Sequence, residues 1–117
     1  MATRAVTVTQ PSTNSKLAVW TGLLNGDDGQ PLQAFDYADN SIQFDGTFGV
    51  GGTISWQGSN DGANWFILND LQVTAITKTA AAIEQVAEAC VFLRPIVTAG
   101  DGTTTLNARL YARRGRS

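Results

Sequence analysis

The chain has no histidine and one cysteine, Cys90, among its 117 residues. Without histidine it lacks the commonest general base, the commonest metal ligand and the base of Ser–His and Cys–His nucleophile pairs. A lone cysteine excludes an intramolecular disulfide and a multi-cysteine zinc site. Its neighbours Ala89 and Val91 place it as a small hydrophobe at a buried or half-buried strand position. Charge is scarce too: 15% of the residues are charged, against roughly a quarter in an average domain. The polar surface must come from Thr, Ser, Asn, Gln and Gly. Such a surface repels neighbours weakly, which suits packing into an assembly and equally an ordinary neutral β domain. No segment approaches the roughly 20 apolar residues that span a bilayer, and the opening MATRAVTVTQ holds no signal-peptide run. The expectation is synthesis and retention in the cytoplasm, with no membrane partner.

The motifs of catalysis and metal binding are missing as well. FGVGG at 48–52 is glycine-rich but lacks the Lys-Ser/Thr and the following helix of a phosphate-binding loop, and reads as a turn between strands. Asp27/Asp28, Asp36/Asp39 and Asp61/Asp70 are close in sequence, but nothing in their turn-like contexts points to a raised carboxyl pKa. The acidic turns at 25–29, 60–62 and 101–102 offer hard oxygens without the EF-hand spacing. Asn-Gly and Asp-Gly are also ordinary hairpin turns, because both residues accept positive φ. The chain is therefore expected to be no enzyme and to carry no cofactor and no metal.

What charge there is lies unevenly. Residues 1–88 hold Arg4, Lys16 and Lys78 against nine acids, a balance of −6, and residues 89–117 hold Arg94, Arg109, Arg113, Arg114 and Arg116 against Asp101, a balance of +4. A basic end on an acidic body can dock on an acidic protein surface, or can simply be a solubilising terminus. No aromatics interleave the terminal arginines as a base-stacking platform would require, so no nucleic-acid partner is expected.

The dominant period is two. Alternation predicts strands at about 4–9, 17–24, 41–48, 53–57, 63–68, 90–98 and 103–113, with turn-rich stretches between them. Ile42, Phe44 and Phe48 share one face, Ile54 and Trp56 point inward, and so do Leu106, Ala108 and Leu110. Gly46 falls on the apolar face, as room for a neighbour or as a bulge. Residues 72–77 and 82–86 read as two short strands, although 80–88 also has helical propensity. Pro95 cannot donate to a ladder, which puts its strand at an edge or at a bulge. About eight short strands make an all-β, single-domain antiparallel β-sandwich, jelly-roll-like. The expected layout is an N-terminal arm and linker at 1–16, the sandwich at 17–114 and a basic tail end at 115–117. The arm, with Arg4, Val6 and Val8, can pair with the sheet edge of another subunit.

GSNDGANW at 58–65 sits between TISWQ and NWFIL. As a hairpin turn around residues 59–62 it explains its residues without a ligand. The return strand is then apolar on both faces, so one face needs a cover beyond its own core. As a ligand loop, Asn60 and Asp61 would bind sugar hydroxyls beside an exposed Trp65 or Trp20.

SWQGSNDGANWFIL followed by CVFLRPIVTAGDGTTTLNARLYARR resembles small structural proteins of tailed-bacteriophage virions. In these a GSNDG-x-x-W hairpin precedes a strand with RP-x-VTAGDGTT, then a last strand and a basic tail. The resemblance covers residues 40–114. It implies a β-sandwich virion component, made in the host cytoplasm, of the capsid decoration (cement) type. Such a protein bridges neighbouring subunits of the major capsid protein or meets other virion proteins, as a homo-oligomer (trimer or dimer). A place in the tail, neck or head fibre fits the same residues. The interface residues expected on this reading are Arg4, Val6, Val8, Pro95, Arg109, Arg113, Arg114 and Arg116. S-x-DG-x-x-W is also similar to discoidin-like carbohydrate-binding sandwiches, a longer family that usually carries cysteines and whose ligand loops have no match in this sequence; it is the alternative resemblance.

Overall fold

The computed structural model describes residues 2–33, 39–88 and 90–113, and strand is the only regular structure in them. In chain order the strands are β1 (Thr3–Arg4), β2 (Thr7–Ser12), β3 (Ser15–Leu24), β4 (Asp28–Gly29), β5 (Leu32–Gln33), β6 (Asp39–Thr47), β7 (Thr53–Ser59), β8 (Phe66–Ile67), β9 (Thr77–Lys78), β10 (Ala82–Gln85), β11 (Phe92–Ala99) and β12 (Thr105–Arg113). They form two sheets. One runs β1-β4-β11-β7-β8, with β5 also on β11 and β9 also on β7; the other runs β10-β6-β12-β3-β2. All pairings are antiparallel except β1 with β4. This is the expected all-β sandwich, with more strands than eight because β1, β4, β5, β8 and β9 are two-residue pieces beside longer neighbours.

The alternation read from the sequence places the core. Ile42 and Phe44 of β6, Leu106, Ala108 and Leu110 of β12, and Ala18, Trp20 and Leu23 of β3 face Ile54 and Trp56 of β7 and Leu93 and Val97 of β11, all buried. Trp20 and Trp56 come from opposite sheets and meet edge-to-face at 5.5 Å and 72°, a geometry that suits the negative face and positive edge of the rings. The Trp20 indole N–H donates to the Gln30 carbonyl at 3.0 Å, which lets this large side chain be wholly buried. Trp20 is thus a core residue and not an exposed sugar platform. Gly46, at φ 118°, lies so near β12 that a Cβ there would sit 2.5 Å from the Thr105 carbonyl oxygen.

Pro95 is not at an edge. β11 lies inside its sheet, with β7 on one side and β4 and β5 on the other. The missing donor is accommodated differently. The Val97 N–H bonds to the Asp27 carbonyl at 2.8 Å, so by alternation the nitrogen of residue 95 faces the same neighbour. There it meets Gly29, the last residue of β4, which lies opposite Pro95 in the register set by Ile96 and Asp28. Gly29 supplies the room: a Cβ on it would stand 2.5 Å from Pro95 Cδ and 2.6 Å from the Trp20 ring.

The N-terminal segment is not a free arm followed by a linker. β1 pairs with β4 in one sheet, and β2 pairs with β3 in the other through a hairpin turning at Thr13 and Asn14. Residues 10–15 therefore belong to the hairpin, closed by a 2.8 Å bond between the Ser12 and Ser15 hydroxyls.

Residues 80–88 hold β10 in place of a helix, paired with β6. The strand expected at 72–77 is mostly a loop. β7 pairs first with β9 and then with β8, and between these pieces residues 69–75 leave the sheet. This excursion crosses to the other sheet, where Asp70 bridges to Val86 and the Ala87 N–H bonds to the Asn69 carbonyl at 2.9 Å. Leu68, Ile76 and Val86 are buried beneath it. It ties the two sheets together through these bonds.

Candidate functional site

The hairpin that carries GSNDGANW is present, as β7 and β8 with Gln57 opposite Ile67 and Gly58 opposite Phe66. The turn is wider than the residues 59–62 expected, and the loop is built around Asp61. That carboxylate accepts the Ser59 hydroxyl at 2.8 Å, the Ala63 and Asn64 N–H groups at 2.9 Å each, and the Asn64 side-chain amide at 2.8 Å. The N–H groups of Asn64 and Ala63 contribute most to holding its carboxyl well below the usual carboxylate range, because they stabilise the ionised form. Asn60 looks the other way and accepts the Val91 N–H at 3.1 Å. Asp61 thus first serves the loop's own backbone, and Asn60 ties the loop to the segment ahead of β11.

Trp65 is half-buried and stacks under a guanidinium, with Arg94 Cζ 4.1 Å from its ring centroid. Arg94 also donates to Gln57 Oε1 at 3.0 Å and to Asp28 Oδ2 at 3.2 Å. Asp28 in turn accepts the Thr3 hydroxyl at 2.7 Å. A polar chain therefore runs across the outer side of this sheet from β1 to the loop tip. A cation over an indole face is favourable, and it occupies one of the two faces a sugar ring would stack on.

Beside the loop lies an open depression of about 300 Å³, lined by Asn60, Asp61, Asn64, Phe66, Glu88 and Cys90 among others. Phe66 is 69% exposed there. Glu88 accepts the Asn69 N–H at 2.7 Å and its side-chain amide at 3.0 Å. Burial, and then the charge of Glu88, push the Cys90 thiol above its ordinary value, so it is a poor nucleophile. The depression offers carboxylate and amide oxygens next to an aromatic ring. No group of three or more metal-ligating side chains occurs among the described residues.

The residues expected at an interface are scattered. Arg4 lies in β1, where its Nε is 2.8 Å from Asp27 Oδ2. Val6 is half-buried between β1 and β2, with its N–H on Gln30 Oε1 at 3.1 Å. Val8 lies exposed on the edge strand β2. Pro95 is buried near the middle of its sheet. Arg109 pairs with Asp45 and Arg113 with Asp39, both across β12 and β6. Their charges are met within the chain. Arg114, Arg116 and the tail end at 115–117 lie outside the described residues.

The feature missed at sequence level is the acidic pair Asp27–Asp28. Asp27 accepts the Ala2 N–H, the Leu24 N–H and Arg4 at 2.8–2.9 Å, and Asp28 holds Thr3 and Arg94. Burial raises the Asp27 carboxyl, but the bonds from the Leu24 N–H, Arg4 and the Ala2 N–H outweigh it, and the net shift is downward. The pair ties the N-terminus to the sandwich. Two adjacent carboxylates in so weakly charged a chain were the available signal, yet they read as turn chemistry.

No described helix is long and apolar enough to cross a membrane. No protein-family profile matches the chain, and no curated protein matches it. Among solved structures, the SPBc2 prophage-derived protein YomS is similar in fold, with a TM-score of 0.64 over 89% of this chain and 98% of that one at 7% identity. Peruvianin-I, a cysteine peptidase from Thevetia peruviana latex, overlaps at a TM-score of 0.49 and 11% identity, covering 88% of this chain and 52% of that one. Protein NMB1881 from Neisseria meningitidis overlaps at 0.43 and 12% identity, covering 92% and 81%.

Proposed function

We propose that this chain is a non-enzymatic structural protein of a tailed-phage virion, of the capsid decoration type, which bridges neighbouring subunits of the major capsid protein. The observation that carries the reading is the fold shared with a prophage-derived protein along nearly that protein's whole length. The surface supports it. Phe66 and Ile67 of β8 and Leu71 and Val73 of the loop after it stand exposed, as do Val50 and Ile83. Large apolar side chains in water gain from being covered. The acids described in β1–β12 and their loops are engaged in hydrogen bonds that shape turns and in ion pairs with arginine and lysine. On this reading the chain acts by burying surface across capsid subunits, as a homo-oligomer, with neither nucleic acid nor membrane as partner.

Cryo-electron microscopy of the particle that encodes the chain tests this. Density for the sandwich on the outer shell supports the decoration role. Density in the tail, neck or head fibre keeps the structural class and moves the partner. Absence from the particle overturns the reading.

The depression beside Phe66 favours a second reading, a glycan-binding module using Asn60, Asp61 and the Phe66 ring, with Trp65 at its border. Adding sugars from a broad panel would then shift the Trp65 fluorescence and the amide resonances of residues 59–64. A panel without any shift removes it.

A further inference from the structure

We propose that β2 is a self-association edge, on which a second copy of this chain adds its own β2 antiparallel across a twofold axis and joins the two five-stranded sheets into one. Four observations lead there. The first is availability. β2 ends the sheet order β10-β6-β12-β3-β2, and each of its residues is exposed. Alternate N–H and C=O groups of an edge strand point outward without a ladder partner, a template for another strand.

The second is the condition of the other edges. β1, β8 and β9 are two residues long. β10 carries Glu84 in a 2.7 Å ion pair with Lys78, and the chain leaves it to bridge to Asp70. Short strands and edge charges are the usual means of blocking edge pairing. β2 has neither over Thr7, Val8, Thr9 and Gln10. Its one blocking device, Pro11 with the register irregularity between Thr9 and Ser12, lies at the hairpin end.

The third is charge. Residues 7–12 carry no ionisable side chain, so two identical strands meet without like-charge repulsion. A twofold axis makes the same patch complementary to itself. The fourth is rigidity and side-chain placement. β2 is held at one end by its hairpin with β3 and at the other by Ala2, Thr3 and Arg4 on Asp27 and Asp28. Val8 sits opposite the buried Ala18, on the core side of the sheet, yet is 43% exposed because the sandwich stops there. The Val8 of a second copy would continue that core layer. A strand this short makes a small interface, in the range of transient contacts, which a lattice of many copies reinforces. This inference deepens the self-association in the virion reading but does not need the virion.

The test uses the full chain. Sedimentation velocity should show a dimer fraction that grows with concentration. Val8→Lys should weaken dimerisation by about tenfold or more, since like charges would face each other across the axis, and leave the thermal midpoint of this exposed site unchanged. In a Cys90→Ser background, Val8→Cys or Thr9→Cys should cross-link under mild oxidation, according to which residue lies on the axis. Val50→Cys, on a remote exposed loop, should not. A chain that stays monomeric throughout, or a dimer that Val8→Lys leaves intact, overturns the proposal. Particle density would be unaffected by either result, because it reports location and not self-pairing.

Discussion

Removing the Asp27 carboxylate tests the tie that holds the N-terminal segment. Its side chain is 4% exposed, and it accepts two backbone N–H groups, from Ala2 and Leu24, besides the guanidinium of Arg4. Arg4 is 37% exposed, so its share is that of a screened surface pair, about 1 kcal/mol or less. The N–H groups donate to an ionised acceptor, and leaving them without it costs more, about 1–3 kcal/mol each before relaxation. With partial rehydration of the Ala2 end, Asp27→Ala should cost about 3 kcal/mol. Arg4→Ala should cost about a third of that. At about 4 °C per kcal/mol for a domain of this size, the midpoints should fall by about 12 °C and about 4 °C.

Thermal unfolding followed by circular dichroism reads both values, and amide exchange should show β1 opening while β3 and β12 stay protected. The pH dependence has a definite sign. The folded carboxyl titrates below its ordinary value of 3.8. Its stabilisation is therefore complete above about pH 4 and vanishes as pH falls through the folded value. The gap between the natural chain and Asp27→Ala should narrow in acid. An Arg4→Ala loss as large as that of Asp27→Ala would refute the reasoning, because the ion pair and not the backbone donors would then carry the contact. So would a gap that widens in acid.

Three further outcomes follow from the same geometry. Gly29→Ala forces a Cβ against Pro95 Cδ and the Trp20 ring, so urea denaturation should show a loss of about 3 kcal/mol, the upper range for overpacking; a negligible loss would mean that β4 does not lie on β11 as described. Asp101 accepts the N–H of Val50 and the hydroxyl and N–H of Thr103, which hold its carboxyl at about 2. Carboxyl NMR should find that midpoint and stability lost between about pH 4 and pH 2, whereas a midpoint at 3.8 would show the contact with the 48–52 turn to be open. Val73 is 80% exposed at φ 63°, in a loop whose N–H groups at 72 and 74 are bound by Asp70. Val73→Gly should therefore stabilise by about 0.5–1 kcal/mol, the left-handed cost relieved less the added unfolded-state entropy, and a loss of stability would show that the side chain packs on something.

Local rules carried the sequence reading as far as local causes reach. β6, β7 and β12 were legible because alternation and turn residues act over a few positions, and the inward faces followed from them. The proline rule was correct about the missing donor and misled about the place. What matters is Gly29 of β4, whose missing side chain leaves room for the ring, and it lies far away in the sequence. The N-terminal segment read as an arm because Pro11 and small polar residues look like a linker. Its anchors, Asp27 and Asp28, become visible only once β1 is laid beside β4. The loop at 60–65 shows the same division. Asn-Asp-Gly announced the turn, but the four bonds to Asp61 widen it, and Arg94 reaches Trp65 across the sheet. Neither was written in the spacing.

Charge shows most clearly how folding rewrites a linear reading. Along the chain an acidic body precedes a basic end, which suggests docking by opposite charge. In the sandwich the halves interleave: Arg94 meets Asp28, Arg109 meets Asp45 and Arg113 meets Asp39, while Arg4 meets Asp27. Each described arginine thus has an acidic partner in its own chain. Among the described residues, what is left for association includes the uncharged edge strand β2 and exposed apolar side chains such as Val8, Phe66 and Val73. Contacts of that kind are weakly screened by salt, unlike steering between opposite charges, which fades over a Debye length of about 10 Å at 0.1 M. Self-association through β2 should accordingly change little between low and moderate salt. A steep loss of dimer with added salt would return the weight to the arginines and away from the edge.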